Sequence, residues 1–240
     1  MTRILAIDTS SAWCSVALSL PDAAPLFRHQ KVSAGASQLL LPWVEELLSE
    51  ASIQLSSLDA IAIGNGPGAF TGVRLGVAAV QGLAIAARLP VLPVASLDAI
   101  ASQLEQTPAF ISSGARSFVV AVDARMEEVY WANYKSVGNQ LPQRQGEIHL
   151  TSPEGIELSH VEFLAGSAIT EFGNRLFASV AQPLASSHLD STIGVSALGI
   201  LACAEEMWGK GLQQDVHLLE PLYIRNKVAL TTAERIQQHG

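Results

Sequence analysis

The residues whose types and spacing come nearest to chemistry are Gly64-Asn65-Gly66-Pro67-Gly68-Ala69-Phe70-Thr71-Gly72-Val73-Arg74-Leu75-Gly76. Glycine tolerates positive φ and lets a ligand or another backbone come close, while Pro67 fixes its own φ and restricts Gly66 before it. A loop shaped this way at the start of a helix points free N–H groups and the positive end of the helix dipole into one space, a common setting for phosphate. Two phosphate loops can be tested by spelling. A Walker loop closes on Gly-Lys-Ser/Thr, and this one offers Thr71-Gly72-Val73 without a lysine. Gly64 to Ala69 spells G-x-G-x-x-G/A, but a dinucleotide site also places an acid about 20 positions later. Arg88 and Leu89 stand there instead. What remains is a tight strand-to-helix connection whose glycines allow close packing.

Other chemistry finds little support. No Gly-x-Ser-x-Gly elbow and no zinc-protease pattern is present, so a peptidase reading lacks both nucleophile and base. Cys14 and Cys203 form neither a disulfide framework nor a metal spacing, and read as small buried side chains in a reducing cytosol. With 14 Lys+Arg against 22 Asp+Glu the 240-residue chain carries a formal charge of -8. That balance opposes unaided binding to nucleic acid, because such affinity rests largely on neutralising phosphates. The start, Met1-Thr2-Arg3-Ile4-Leu5-Ala6-Ile7-Asp8, brings a charge into the apolar run too early for a signal peptide. The weakly polar stretch 77–87 is shorter than the roughly 20 residues of a membrane span. A cytoplasmic protein with no membrane contact is expected.

The elements that must position the loop follow from hydrophobic periodicity. Residues 3–9 and 13–20 read as strands around a short turn, and 26–32 adds a third. Leu40, Trp43, Val44, Leu47, Leu48 and Ala51 form one apolar helical stripe, with Pro42 either in its first turns or bending it. A strand at 58–63, the loop, a helix at 73–87, a strand at 91–94 and a helix from about 96 then alternate as in parallel α/β units. Residues 107–116 read as a linker. After it, Phe118-Val119-Val120-Ala121-Val122-Asp123 followed by Val129-Tyr130-Trp131-Ala132 echoes Ile4-Leu5-Ala6-Ile7-Asp8 followed by Trp13-Cys14-Ser15-Val16, the mark of an internal duplication. Strand 161–165, helices near 168–180 and 195–208, and an extended tail at 218–226 complete the chain. Order is weakest over 136–190.

Two halves that each open on a hairpin whose first strand ends in Asp resemble the actin-like ATPase (ASKHA) fold, here an α/β protein of two duplicated halves with mixed sheets flanked by helices. The expected division is 1–108 and 109–240, the second half reduced, with its late helix at 195–210 able to pack back on the first. In that family the two turns hold phosphates through Asp followed by glycine. Asp8-Thr9-Ser10-Ser11-Ala12 and Asp123-Ala124-Arg125-Met126-Glu127 contain no glycine, and Glu127-Glu128 would repel an anion. Asp8 is therefore read as the holder of its own turn, not as a magnesium ligand.

Residues 4–10, the loop 66–74, the segment Val122-Asp123-Ala124-Arg125-Met126-Glu127-Glu128-Val129-Tyr130-Trp131 and the tail Pro221-Leu222-Tyr223-Ile224-Arg225-Asn226 together resemble the TsaB (YeaZ) family, in order across nearly the whole chain. The resemblance implies a non-catalytic scaffold and activator of TsaD, which transfers threonylcarbamoyl from its adenylate to N6 of adenosine 37 in tRNAs reading codons that begin with adenine. It implies TsaD and TsaE as partners, a homodimer when alone, tRNA reached only through the complex, and no cofactor of its own, ATP and magnesium being used by the partners. The His-x-x-x-His metal pair of TsaD has no counterpart among His29, His149, His160, His188, His217 and His239. Many relatives carry His-Ser or His-Thr at the start of the first long helix, where this chain has Ala36-Ser37. In the family the first two long helices meet TsaD or a second copy. Bulk from Leu40, Trp43, Val44 and Leu47, beside a small-residue face of Gly72, Gly76, Ala79 and Leu83, is the expected contact, with Trp43 as anchor. Each stripe could equally cover this chain's own sheet. Arg74 either pairs with Asp8 or an inter-half carboxylate, or meets a partner or an adenylate held between subunits; Asp8, Thr71 and Arg125 are the other candidate anion or inter-subunit contacts. Thr71 is also placed to cap the helix, and Tyr223 and Arg225 to tie down the tail. A nucleotide-dependent enzyme of the same fold, such as a small kinase, is the competing reading.

Overall fold

A computed structural model of the chain describes residues 2–32, 35–138 and 140–224. Strand β1 (Ile4–Asp8) sits at the centre of the first sheet and has all five residues buried. It is covered on both faces, which is why it reads as a continuous apolar run and not an alternating one. It pairs antiparallel with β2 (Trp13–Leu20), which pairs antiparallel with β3 (Ala23–Lys31). On its other side it pairs parallel with β4 (Ala60–Gly66), and β4 with β5 (Val91–Ala95), giving the order β3-β2-β1-β4-β5.

Strand β6 (Ser117–Arg125) takes the central place in a second sheet. It pairs antiparallel with β7 (Glu128–Lys135), and β7 with β8 (Gln143–Thr151). Its other flank carries β9 (Phe163–Ala165) and β10 (Leu189–Asp190), both parallel, in the order β10-β9-β6-β7-β8. The order and strand directions repeat those of the first sheet, so the duplication seen in one hairpin extends to five strands. This is the duplicated α/β architecture of the actin-like fold, with the parallel flank of the second half cut down to strands of three and two residues.

Helices α1 (Ala36–Glu50) and α2 (Phe70–Ala87) cover one face of the first sheet, where Leu5, Ile7 and Val16 meet Leu40, Val44, Leu47, Val73, Val77 and Val80. On the opposite face lies α3 (Ser96–Leu104), with seven of its nine residues buried. The segment expected to be a linker holds a helix, α4 (Pro108–Ser113). Thr107 caps it by accepting from Phe110 N at 3.3 Å, and Pro108 supplies a preset φ in its first turn. Phe110 is then driven edge-on between Phe118 and Phe163, with ring centroids 5.0 and 5.2 Å away. The helix expected over 168–180 stops as α5 (Ala168–Phe172), because Gly173 turns to φ 51, ψ -126 and a 3₁₀ segment follows.

Helix α6 (Ala197–Gly209) packs on α3 and across β1, β2, β4 and β5 of the first sheet. Through α3 and α6 a single core joins the two sheets: Ile4, Ala6 and Ala62 share it with Ile100, Ile200, Phe118, Tyr134 and Phe163. Polar ties reinforce this junction. Tyr134 Oη donates to Asp98 Oδ1 at 2.7 Å, Arg144 lies 3.3 Å from the same carboxylate, and Ser196 Oγ donates to Gln103 at 2.6 Å.

Candidate functional site

The glycine loop is occupied by the chain itself. Gly64, Gly68, Gly72 and Gly76 recur every four residues along the end of β4 and the start of α2, and the turn between β1 and β2 lies on them. A Cβ at Gly64 would overlap the Asp8 carboxylate, one at Gly68 the Ser10 carbonyl oxygen and one at Gly72 the Thr9 carbonyl oxygen; one at Gly76 would reach within 2.8 Å of Thr9 Oγ1. Two hydrogen bonds fasten the arrangement: Ala69 N donates to Ser10 O at 2.7 Å, and Thr9 Oγ1 donates to Gly72 O at 2.7 Å. The Ala69 amide, at the front of α2, is thus spent on a carbonyl, and carbonyl oxygens face the loop where phosphate oxygens would have to sit. Gly72 and Gly76 consequently correct the expectation of an outward small-residue face. With Gly68 they are a landing strip for Thr9 and Ser10.

Asp8 holds its turn as expected, its Oδ1 accepting from Ser10 Oγ at 2.7 Å and from Ser10 N at 3.3 Å. Ser10 Oγ also meets Ser96 Oγ, on the first residue of α3, at 3.1 Å. The carboxyl has no exposed surface, and burial pushes its pKa up to about 7 against the weaker opposing pull of the Ser10 hydrogen bonds. Thr71 does not cap α2. The helix begins one residue earlier, with Ala69 at the cap and no side-chain bond, and Thr71 is exposed in the first turn.

The second hairpin keeps its acid closer to solvent. Asp123 Oδ1 accepts from Arg125 N at 2.8 Å, and its other oxygen lies 3.1 Å from the Arg125 guanidinium, whose side chain is largely exposed. Arg125, Met126 and Glu127 all take left-handed backbone, with φ of 63, 56 and 60. Arg125 therefore folds back on its own turn, and Glu127 pairs with Arg175. Among the described residues no group of three or more His, Cys, Asp and Glu is placed to hold a metal ion.

Among the described residues Arg74 meets neither Asp8 nor another carboxylate. Its guanidinium lies 3.4 Å over the centre of the Phe70 ring, and its Nε donates to Tyr223 Oη at 3.0 Å. The tail reaches it along α2: Gln81 Nε2 donates to Leu219 O at 3.0 Å, and Leu222 N to Asn65 O at 2.8 Å. Tyr223 does tie the tail down; Arg225 lies outside the described residues. The Phe70–Arg74 pair was missed in the sequence, although aromatic and cation four residues apart on a helix are a readable signal.

The α1 stripe is also corrected. Leu40, Val44 and Leu47 are 1, 4 and 0 % exposed and press on the first sheet, so most of their surface is spent on this chain's own core and only Val44 borders an open surface. Trp43 is half-buried at the margin of that core, as are Ala79 and Leu83 on α2. What α1 and α2 present outward is a different set: Leu41, Phe70, Arg74, Ala78, Gly82 and Ile85, with Leu41, Phe70 and Ile85 each more than half exposed. Between the two helices runs an open apolar groove of about 490 Å³ lined by Leu41, Val44, Leu48, Ile53, Leu55 and Leu83, with Glu45 at its side. Helix α2 has a mean hydropathy of 1.5 over 18 residues, yet only 28 % of it is buried. By composition and length it would pass for a membrane span, but Val73, Val77, Val80 and Ala84 seat it on the first sheet.

One serine–histidine pair does exist, Ser15 Oγ and His29 Nδ1 at 3.0 Å. Ser15 is fully buried, and its Oγ accepts from Ala197 N at 2.8 Å, while His29 stacks on Trp13 at 4.4 Å with its pKa lowered by burial. The hydroxyl serves as an acceptor for the first turn of α6.

The chain is 33 % identical over 229 residues to the tRNA threonylcarbamoyladenosine biosynthesis protein TsaB of Escherichia coli, covering 95 % of this chain and 96 % of that one. The chain belongs to the TsaB (YeaZ) family. TsaB of Haemophilus influenzae is 41 % identical over 135 residues, about half of each chain. The family model described as TsaD, tRNA N6-adenosine threonylcarbamoyltransferase, matches residues 30–178. In structure, YeaZ from Pseudomonas aeruginosa aligns with a TM-score of 0.80 at 34 % identity, covering 93 % of this chain and all of that one. A second solved structure, described as an uncharacterized protein with similarity to peptidase YEAZ from Pseudomonas aeruginosa, aligns with a TM-score of 0.82 at 35 % identity over 94 % of this chain.

Proposed function

We propose that this TsaB-family chain serves tRNA threonylcarbamoyladenosine biosynthesis as a non-catalytic subunit that binds and activates TsaD through the outward face of α1 and α2. The observation that carries the reading is the apolar helix α2, one face of which is exposed beside an apolar groove, with Leu41, Phe70 and Ile85 exposed. Exposed apolar surface of this kind marks interaction sites in soluble proteins. The reading of the chain as lacking chemistry of its own is supported by the first hairpin, whose turn is packed on the glycine stripe, and by the second, whose acid is engaged by Arg125. A partner helix pair laid on α1 and α2 would complete a four-helix contact around the groove. TsaE, ATP and magnesium belong to the other members of the assembly, a second copy of this chain takes the TsaD face when the chain is alone, and tRNA is met through the complex in the cytoplasm.

Reconstitution tests the proposal. With TsaD, TsaE, threonylcarbamoyl-adenylate and substrate tRNA, modification is expected to depend on this chain, while the chain alone modifies nothing and turns over no ATP. Undiminished modification without it, or nucleotide turnover by the isolated chain, would overturn the scaffold role in favour of the small-kinase alternative.

A further inference from the structure

Asp8 closes β1 inside the molecule with its two oxygens treated unequally. Oδ1 accepts both Ser10 hydrogen bonds, whereas Oδ2 is buried without a hydrogen-bond partner among the described residues. Each packed element offers it a neutral neighbour. From β4 comes Gly64, from α6 Ile200 near the same spot, from α3 Ser96 by way of Ser10 Oγ, and from β2 the Cys14 thiol. The Cys14 thiol is itself pushed up to about 11, so it stays neutral at neutral pH. Among the described residues no lysine, arginine or histidine acts on the Asp8 carboxyl. A bare charge in such a place is costly enough that buried carboxyls take up a proton instead.

We propose that the folded chain holds Asp8 as the uncharged acid, and that this makes it a pH-sensitive latch: neutral, it lets the β1–β2 turn seat on the glycine stripe and on the start of α3, and ionised, it drives them apart. The proton sits on the partnerless Oδ2, leaving Oδ1 free to accept from Ser10 as observed. Burial raises the pKa of Asp8 from 3.8 to about 7, so between these values the folded chain keeps a proton that the unfolded chain has released. Its contribution to stability is therefore fully present below pH 3.8, falls as pH rises, and is lost once pH passes about 7. Within that window the folding equilibrium constant drops about tenfold per pH unit from this one group, approaching a thousandfold in all.

The test compares urea unfolding of the full chain and of Asp8→Asn from mildly acidic to mildly alkaline pH. Carboxylates common to both proteins cancel in the difference. The ratio of their folding constants is expected to change by about tenfold per pH unit up to neutrality and then level off; a ratio that stays flat across the range overturns the proposal. Should Asp8→Asn not fold, carbon-13 NMR of the Asp8 carboxyl in the unaltered chain decides. A midpoint near neutrality supports the latch, and one in the ordinary aspartate range sinks it.

Discussion

Replacing Gly72 by alanine sets two magnitudes of opposite sign against each other. Inside a helix the exchange gains about 1 kcal/mol from backbone entropy and propensity. At Gly72, however, the new methyl overlaps the carbonyl oxygen of Thr9, a backbone atom that cannot rotate away. Relief requires the β1–β2 turn to lift from α2 by more than about 1 Å to reach an ordinary contact. Overpacking of this kind costs about 1–3 kcal/mol. The lift also stretches the Thr9 Oγ1 to Gly72 O and Ala69 N to Ser10 O hydrogen bonds, both 2.7 Å, at about 1 kcal/mol each. The net expectation is a loss of about 2–4 kcal/mol. Gly82 in the same helix is the control, since a Cβ there meets nothing within 4 Å. Gly82→Ala is expected to gain about 0.5–1 kcal/mol. Urea unfolding followed by tryptophan fluorescence reads both, with unchanged m-values certifying that the comparison is of stability. If Gly72→Ala is as stable as Gly82→Ala, the glycines are not there for close approach and the reasoning fails.

Three further outcomes follow from the packing. Phe110→Ala empties the slot between Phe118 and Phe163 and is expected to cost about 3–5 kcal/mol in thermal or urea unfolding; a cost below about 1 kcal/mol would mean that α4 is a passive linker after all. Tyr134→Phe removes the 2.7 Å donor from the half-buried Asp98 carboxylate, and a loss of about 1.5–3 kcal/mol is expected in the same assay. Leu41→Glu, at a position more than half exposed, should leave stability within about 0.5 kcal/mol of the parent. By calorimetry it should weaken TsaD binding by tenfold or more, as expected of a truncated or charged interface anchor at about 1.4 kcal/mol per decade, and unchanged affinity would move the interface elsewhere.

The elements that dominate the first half were readable because their residues make the same statement at every level. β2 runs over Trp13–Leu20 as expected, and β1, apolar up to its closing Asp8, is a central strand. Gly68, Gly72 and Gly76 announced close packing, but a four-residue glycine spacing looks the same whether the approaching backbone comes from within or without. Only the turn at Thr9 and Ser10, some 60 residues earlier in the chain, settles which. Leu40, Val44 and Leu47 carry a related lesson: the inward positions of an amphipathic stripe go to the nearest core, and what is left partly or largely exposed is its shoulders, Leu41 and Trp43. Strand β8 escaped notice because Gln143-Arg144-Gln145-Gly146-Glu147 is exposed along its whole length. An edge strand is held by backbone bonds to one neighbour and needs no apolar face to be a strand. The helix at Pro108 hid behind the composition of a linker, although Thr-Pro is itself a helix-start signature. The Asp8 environment had no sequence signal, since its burial depends on Gly64 and Ile200 from distant elements.

The core that runs from Ile4 and Ala62 through Ile100 and Ile200 to Phe118 and Phe163 has a thermodynamic meaning apart from any binding role. By strand order the chain is two copies of one unit, each with a core of its own on its outer face, but the faces turned toward each other share a third core in which α3 packs on both sheets. Melting should therefore proceed as one transition, with calorimetric and van't Hoff enthalpies in agreement and no half-folded state between. A fragment ending before β6 would therefore carry α3 without the packing of α6, β6 and β7.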